Sequence, residues 1–191
     1  MKKITLGSSV VVSDPCYELG TWCQAVIKNV LPGTYYTDVE TSDQRNWGLR
    51  ISELIVLHED HFNKTPFTQT NYNIGVDSGQ CGVFDLETYR NDFYSKSLGI
   101  KPYFDVKDDG DEFYNRMCTL TLSEDSWGTY EKGVVSSSGF GDGSYNLFIL
   151  EYDNKIVGFR IVFIDNDELE EEYLDDEDDE LEDEYLDDED F

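Results

Sequence analysis

The 191 residues suit one globular domain, long enough to bury a core without disulfides or metal. The net charge of −28 is uneven: residues 165–191 hold 19 of the 42 acidic residues and no Lys or Arg, which leaves the body with 23 acidic against 14 basic residues, or −9. Such a balance argues against nucleic acid and anionic membranes as direct partners, because phosphate binding rests on Lys and Arg, and no stretch approaches the roughly 20 apolar residues that span a bilayer.

Met1–Leu6 begins like a secretory signal, but Gly7, Ser8, Ser9 and Asp14 interrupt the apolar run too early. A cytoplasmic protein is expected. Cys16, Cys23, Cys81 and Cys118 form no C-x-x-C pair and stand among strand-forming residues, which reads as buried free thiols rather than disulfides or a zinc set. The apolar run ending at Val10-Val11-Val12 turns at Ser13-Asp14-Pro15, with Pro15 holding Asp14 extended at a strand end. Trp22–Ile27 and Thr34–Val39 flank Leu31-Pro32-Gly33, a pattern that predicts a hairpin. Trp47–Leu57 alternates and then closes on a solid apolar block, which predicts another strand. The polar stretch 58–70 carries both histidines, His58 and His61; their spacing misses the i, i+4 pair of helical zinc sites, so a solvated loop is expected over a metal site.

Asp85 followed by Leu86, Tyr89 and Phe93 at helical spacing predicts one short amphipathic helix near 86–95. Lys107–Asp111 reads as an exposed turn, and Met117–Leu122, rich in β-formers, as a strand. Tyr145–Tyr152 and Ile156–Ile164 are joined by Asp153-Asn154-Lys155 and are apolar on both faces, the pattern of central strands in a covered sheet. The expected fold is therefore mainly β, an antiparallel sandwich-like single domain over residues 1–164, followed by an acidic low-complexity tail at 165–191. In that tail Glu172–Asp178 recurs as Glu184–Asp190. Dense like charge predicts disorder in isolation. Its Tyr-Leu pairs read in two ways, as segments that dock on a basic, partly apolar protein surface or as parts of a solvating tail.

The stretch Ser136–Tyr145 packs three glycines, four serines and Asp142 between two apolar runs. Glycines permit close approach to the main chain, and turned N–H groups with serine hydroxyls cradle anions; the alternative is a tight connection that only satisfies turn geometry. A second Gly, Ser and Asp cluster lies at Gly75–Asp85. Val11–Tyr17, Gly75–Asp85 and Ser138–Tyr145, in that order and at these separations, resemble a bacterial and phage domain family catalogued only as a domain of unknown function. The resemblance covers about residues 5–164, implies a mainly β domain and supplies no reaction.

The residues themselves place Asp14, Asp77 and Asp142 in three turns at strand ends. If those ends share one edge, they form a polar pocket with Ser78, Gly79, Ser138, Gly139, Gly141 and Gly143. The expected function is a non-enzymatic binding protein for a small polar or phosphorylated ligand, such as a nucleotide. Two alternatives remain: an acidic interaction protein that imitates nucleic acid through its charged tail, and a metal-dependent phosphoester hydrolase. The cofactor is unknown.

Overall fold

The computed structural model describes residues 1–62, 66–105 and 111–165; the acidic tail beyond Asp165 and most of the expected turn at Lys107–Asp111 lie outside them. Among the described residues eleven strands form two antiparallel sheets. The six-stranded sheet has the order β1 (Lys2–Leu6), β4 (Gly33–Asp43), β5 (Leu49–His58), β11 (Lys155–Val162), β10 (Gly143–Tyr152), β6 (Thr68–Val76). The five-stranded sheet has the order β3 (Ala25–Lys28), β2 (Ser9–Ser13), β7 (Gln80–Asp85), β9 (Gly133–Ser137), β8 (Trp127–Tyr130). The expected mainly β, sandwich-like fold is what the chain adopts.

Alternation decides which face each side chain joins. Val10, Val12, Val83 and Val134 point between the sheets and meet Tyr35, Leu54, Val56, Leu147, Phe159 and Ile161 in the main core. Their neighbours Val11, Phe84 and Val135 point the other way, into a second core with Tyr89, Phe113, Met117 and Tyr130. The five-stranded sheet is thus buried on both faces, which is why β2 reads as an unbroken apolar run.

Two helices lie over that second face, α1 (Asp92–Ser97) and α2 (Asp111–Thr121), and both differ from the sequence expectation. Asp85 does cap the turn after it, since its Oδ1 accepts from Glu87 N at 3.0 Å and its carbonyl from Tyr89 N at 3.1 Å. But Arg90 adopts φ 54° and stops that turn, and Asn91 then caps α1 by accepting from Tyr94 N. Met117–Leu122, expected as a strand, lies largely in α2: Phe113 and Met117, one turn apart, dock on the sheet, and that burial outweighs the local preference of Cys118 and Thr119 for strand.

The expected hairpin over 22–39 is likewise absent. β3 pairs with β2, whereas β4 pairs with β1 and β5, so Leu31-Pro32-Gly33 carries the chain from one sheet to the other. The two strands expected at 145–152 and 156–164 are present as β10 and β11 and pair as a hairpin, with Asp153 and Asn154 at φ 48° and 56° in its turn. Its strands are not covered on both sides as expected: Phe148 and Val162 are only half-buried on the outer face of the six-stranded sheet, as are Ile55 and Leu57 of the neighbouring β5.

His58 is a further correction. It ends β5 rather than standing in a solvated loop, is buried, and packs edge-on against the Tyr35 ring at 5.0 Å. Gly33 makes room for it, because a Cβ there would sit 2.5 Å from His58 Nε2.

Candidate functional site

Antiparallel pairing brings the three Asp-bearing turns to one edge. In the five-stranded sheet Ser13 lies opposite Gly82 and Gln80 opposite Ser137, so the end of β2, the start of β7 and the end of β9 coincide. Crossovers leave from the same edge to β6 and β10, which are themselves neighbours in the other sheet. The condition for a shared polar site is met.

The way these turns meet is specific. Asp14 is fully buried. Its Oδ2 accepts from Asp77 N at 2.9 Å and Ser78 N at 2.7 Å, and its Oδ1 from Ser78 Oγ at 2.6 Å and Cys16 N at 2.8 Å. Asp142 Oδ1 accepts from Gly79 N at 3.1 Å. Three consecutive N–H groups of the 77–79 turn therefore point at carboxylate oxygens of the protein itself. Such a run of N–H groups is a concavity that favours an anion, and here Asp14 and Asp142 are the anions. The cradle expected for a phosphate exists, and its donors are already used.

The glycine loop is pinned from within. Ser138 is buried and donates its hydroxyl to Gly141 O at 2.9 Å, Gly141 N donates to Ser138 O, and Tyr145 Oη donates to Gly141 O at 2.6 Å. Gly139 is buried with φ 60°, and a Cβ there would lie 3.0 Å from Ile164 Cγ1. Gly141, at φ 108°, has open space on its Cβ side, and Asp142 and Gly143 are exposed. Of the nine residues singled out in the sequence, Asp14, Ser138 and Gly139 are internal ties, while Asp77, Ser78, Gly79, Gly141, Asp142 and Gly143 reach the surface wholly or in part.

Ser78 and Gly79 of that set line a concavity. It is a groove of about 240 Å³ between the 78–80 turn and α2, completed by Gln80, Phe104, Tyr114 and Thr121 among others. Gln80 is fixed by accepting from Thr121 Oγ1 at 2.8 Å and by donating to Cys118 Sγ at 3.4 Å. Phe104 is held at the mouth because its N–H donates to Asn115 Oδ1 at 3.1 Å, yet its side chain is exposed. Burial, and secondly the Cys118 thiol beside it, push the Tyr114 phenol up to about 12, so it stays a neutral donor. The sequence reading missed Phe104, Tyr114 and Thr121 because the groove is built by α2 and its approach, and Met117–Leu122 read as a strand; Gln80 stood within the Gly75–Asp85 cluster but was not singled out. The usable signal was the helical spacing of Phe113, Met117 and Leu120.

The cysteines are free, as expected, and three of them are buried, whereas Cys16, also expected to be buried, is half-buried. Burial, and secondly Asp14, push the Cys16 thiol up to about 12, which keeps it protonated and unreactive near neutral pH. Among the described residues no group of three or more His, Cys, Asp or Glu side chains is arranged to hold a metal ion, and no helix is long and apolar enough to cross a membrane. No protein-family model, curated protein or solved structure matches this chain.

Proposed function

We propose that the chain is a non-enzymatic binding protein that holds a small polar ligand in the groove between the 78–80 turn and α2. The observation that carries this reading is the composition of that groove: an anchored amide, Gln80, hydroxyls from Ser78, Tyr114 and Thr121, and the exposed Phe104 ring at its mouth. A few convergent polar groups with one aromatic surface are what a small-molecule site requires. The knot of Asp14, Asp77, Ser78, Gly79 and Asp142 serves as its rigid floor.

The same geometry favours an uncharged ligand over a phosphorylated one. Among the described residues no Lys or Arg lines the groove, the 77–79 N–H groups are committed to carboxylates, and Asp77 and Asp142 stand exposed beside it. A phosphate there would meet negative charge with no countercharge. A thermal-shift comparison of nucleosides with their monophosphates tests this directly. The uncharged members stabilise the protein, the phosphorylated ones do so less, and Phe104→Ala abolishes the shift. Stabilisation by phosphates alone, or shifts unchanged in Phe104→Ala, would refute the reading.

A further inference from the structure

The outer face of the six-stranded sheet carries a second groove, of about 310 Å³, distinct from the one beside the 78–80 turn. Strand register builds it. Val162 lies opposite both Glu53 and Asn146, and Arg160 lies opposite Phe148, so side chains from β5, β11 and β10 line up across the sheet in two adjacent rows. Arg160 reaches diagonally to Glu53 with two bonds, Nε to Oε2 at 2.6 Å and a second from Nη2 to Oε1. That fork holds guanidinium and carboxylate in one plane. The guanidinium also lies 5.5 Å from the Phe148 ring centre. Asn146 is exposed alongside, and Asp165 closes one end.

The ion pair is charge-neutral within itself and Asp165 adds a negative charge at one end, so the groove does not favour an anion. What it retains is a fixed lattice of directional groups: the outer N–H groups of Arg160, spare lone pairs on Glu53, and both functions of the Asn146 amide. A ligand whose groups each donate and accept fits that lattice. Next to it stands exposed aromatic surface. Gly139 lies against Ile164 at the Asp165 end, which places Phe140 there, and the Phe140 ring meets Trp47 edge-on at 6.4 Å. Phe140 is 55% and Trp47 69% exposed. Planar polar side chains beside an exposed ring match the two surfaces of a sugar, hydroxyls around its rim and C–H groups on its face.

We propose that this groove is a saccharide-binding site, with Arg160, Glu53 and Asn146 taking the hydroxyls of a neutral sugar and the Trp47–Phe140 pair stacking on an adjoining unit. The test is calorimetric titration of the full chain with three neutral probes, cellohexaose, maltohexaose and hexa-N-acetylchitohexaose, each at about 5 mM, a range that registers even millimolar affinity. At least one probe binds, and Asn146→Ala, Trp47→Ala and Arg160→Met each weaken it at least about tenfold with native melting curves. Leu122→Asp, at the rim of the other groove, leaves it unchanged. Should Arg160→Met fail to fold, the Asn146 and Trp47 variants decide alone. Absence of heat with all three probes overturns the proposal. So does sugar binding that survives both of those variants, and so does saturable binding of inorganic phosphate in place of any sugar.

Discussion

Replacing Asp14 by alanine removes the acceptor on which two of the three turns depend. Its carboxylate takes four hydrogen bonds, and three of the donors are backbone N–H groups, of Cys16, Asp77 and Ser78, that the alanine variant leaves unpaired. The Ser78 hydroxyl can rotate to other partners; the N–H groups cannot. An orphaned donor costs about 1–3 kcal/mol, the upper value applying to full burial. Cys16 and Ser78 are half-buried and Asp77 exposed, so water reaches part of the site and the lower end applies. The sum is about 3 kcal/mol, offset in part by relief of the buried carboxylate, out of a total stability on the order of 5–15 kcal/mol. Asp14→Asn keeps one carbonyl oxygen for Asp77 and Ser78 and turns its amide toward Ser78 Oγ, orphaning only Cys16 N, for about 1 kcal/mol. Equilibrium urea unfolding with an unchanged slope reads both. A loss under about 1 kcal/mol in Asp14→Ala would mean that the turns hold their shape without the carboxylate, and the tie at this edge would be refuted.

Gly139→Ala should destabilise more than Gly141→Ala in paired melting curves. Both sit at positive φ, but only Gly139 adds a contact of 3.0 Å with Ile164, on top of the roughly 1–2 kcal/mol of left-handed strain; equal losses would contradict the geometry. Alkaline pH should weaken the fold in part through Cys16. Its thiol ionises near 9.0 when unfolded but is pushed up to about 12 when folded, so its contribution is complete below the lower value and lost as pH rises toward the upper; Cys16→Ser should flatten stability over that window, and an unchanged profile would count against it. A chain ending at Ile164 should melt within about 2 °C of the full chain, because exposed like charges contribute little cohesion, and a drop of several degrees would place the tail against the body.

The strand pattern was legible wherever one face meets solvent or a short turn joins neighbours, as in β10 and β11. It misled where the chain changes sheets: Leu31-Pro32-Gly33 has the residues of a hairpin turn, and nothing local says that β3 and β4 pair with different partners. The meeting of Asp14, Asp77 and Asp142 was legible because each lies at a strand end and antiparallel neighbours alternate direction. Their use was not legible. Whether a carboxylate faces solvent or the N–H groups of the next turn depends on the crossing between sheets, which residue spacing does not encode. The groove itself was hidden by α2, whose β-forming residues become helical through the burial of Phe113 and Met117.

Whether the groove beside the 78–80 turn is where a small polar ligand binds is tested most directly by amide chemical-shift mapping. Small molecules released from the purified full chain by denaturation are identified by mass and titrated back into labelled protein. Binding in the groove predicts shifts that concentrate on Ser78, Gly79, Gln80, Ser137, the Tyr114–Thr121 turns of α2 and Leu122 after it, and that vanish in Phe104→Ala. Shifts confined to the outer face of the six-stranded sheet, or spread without focus over the surface, would contradict it.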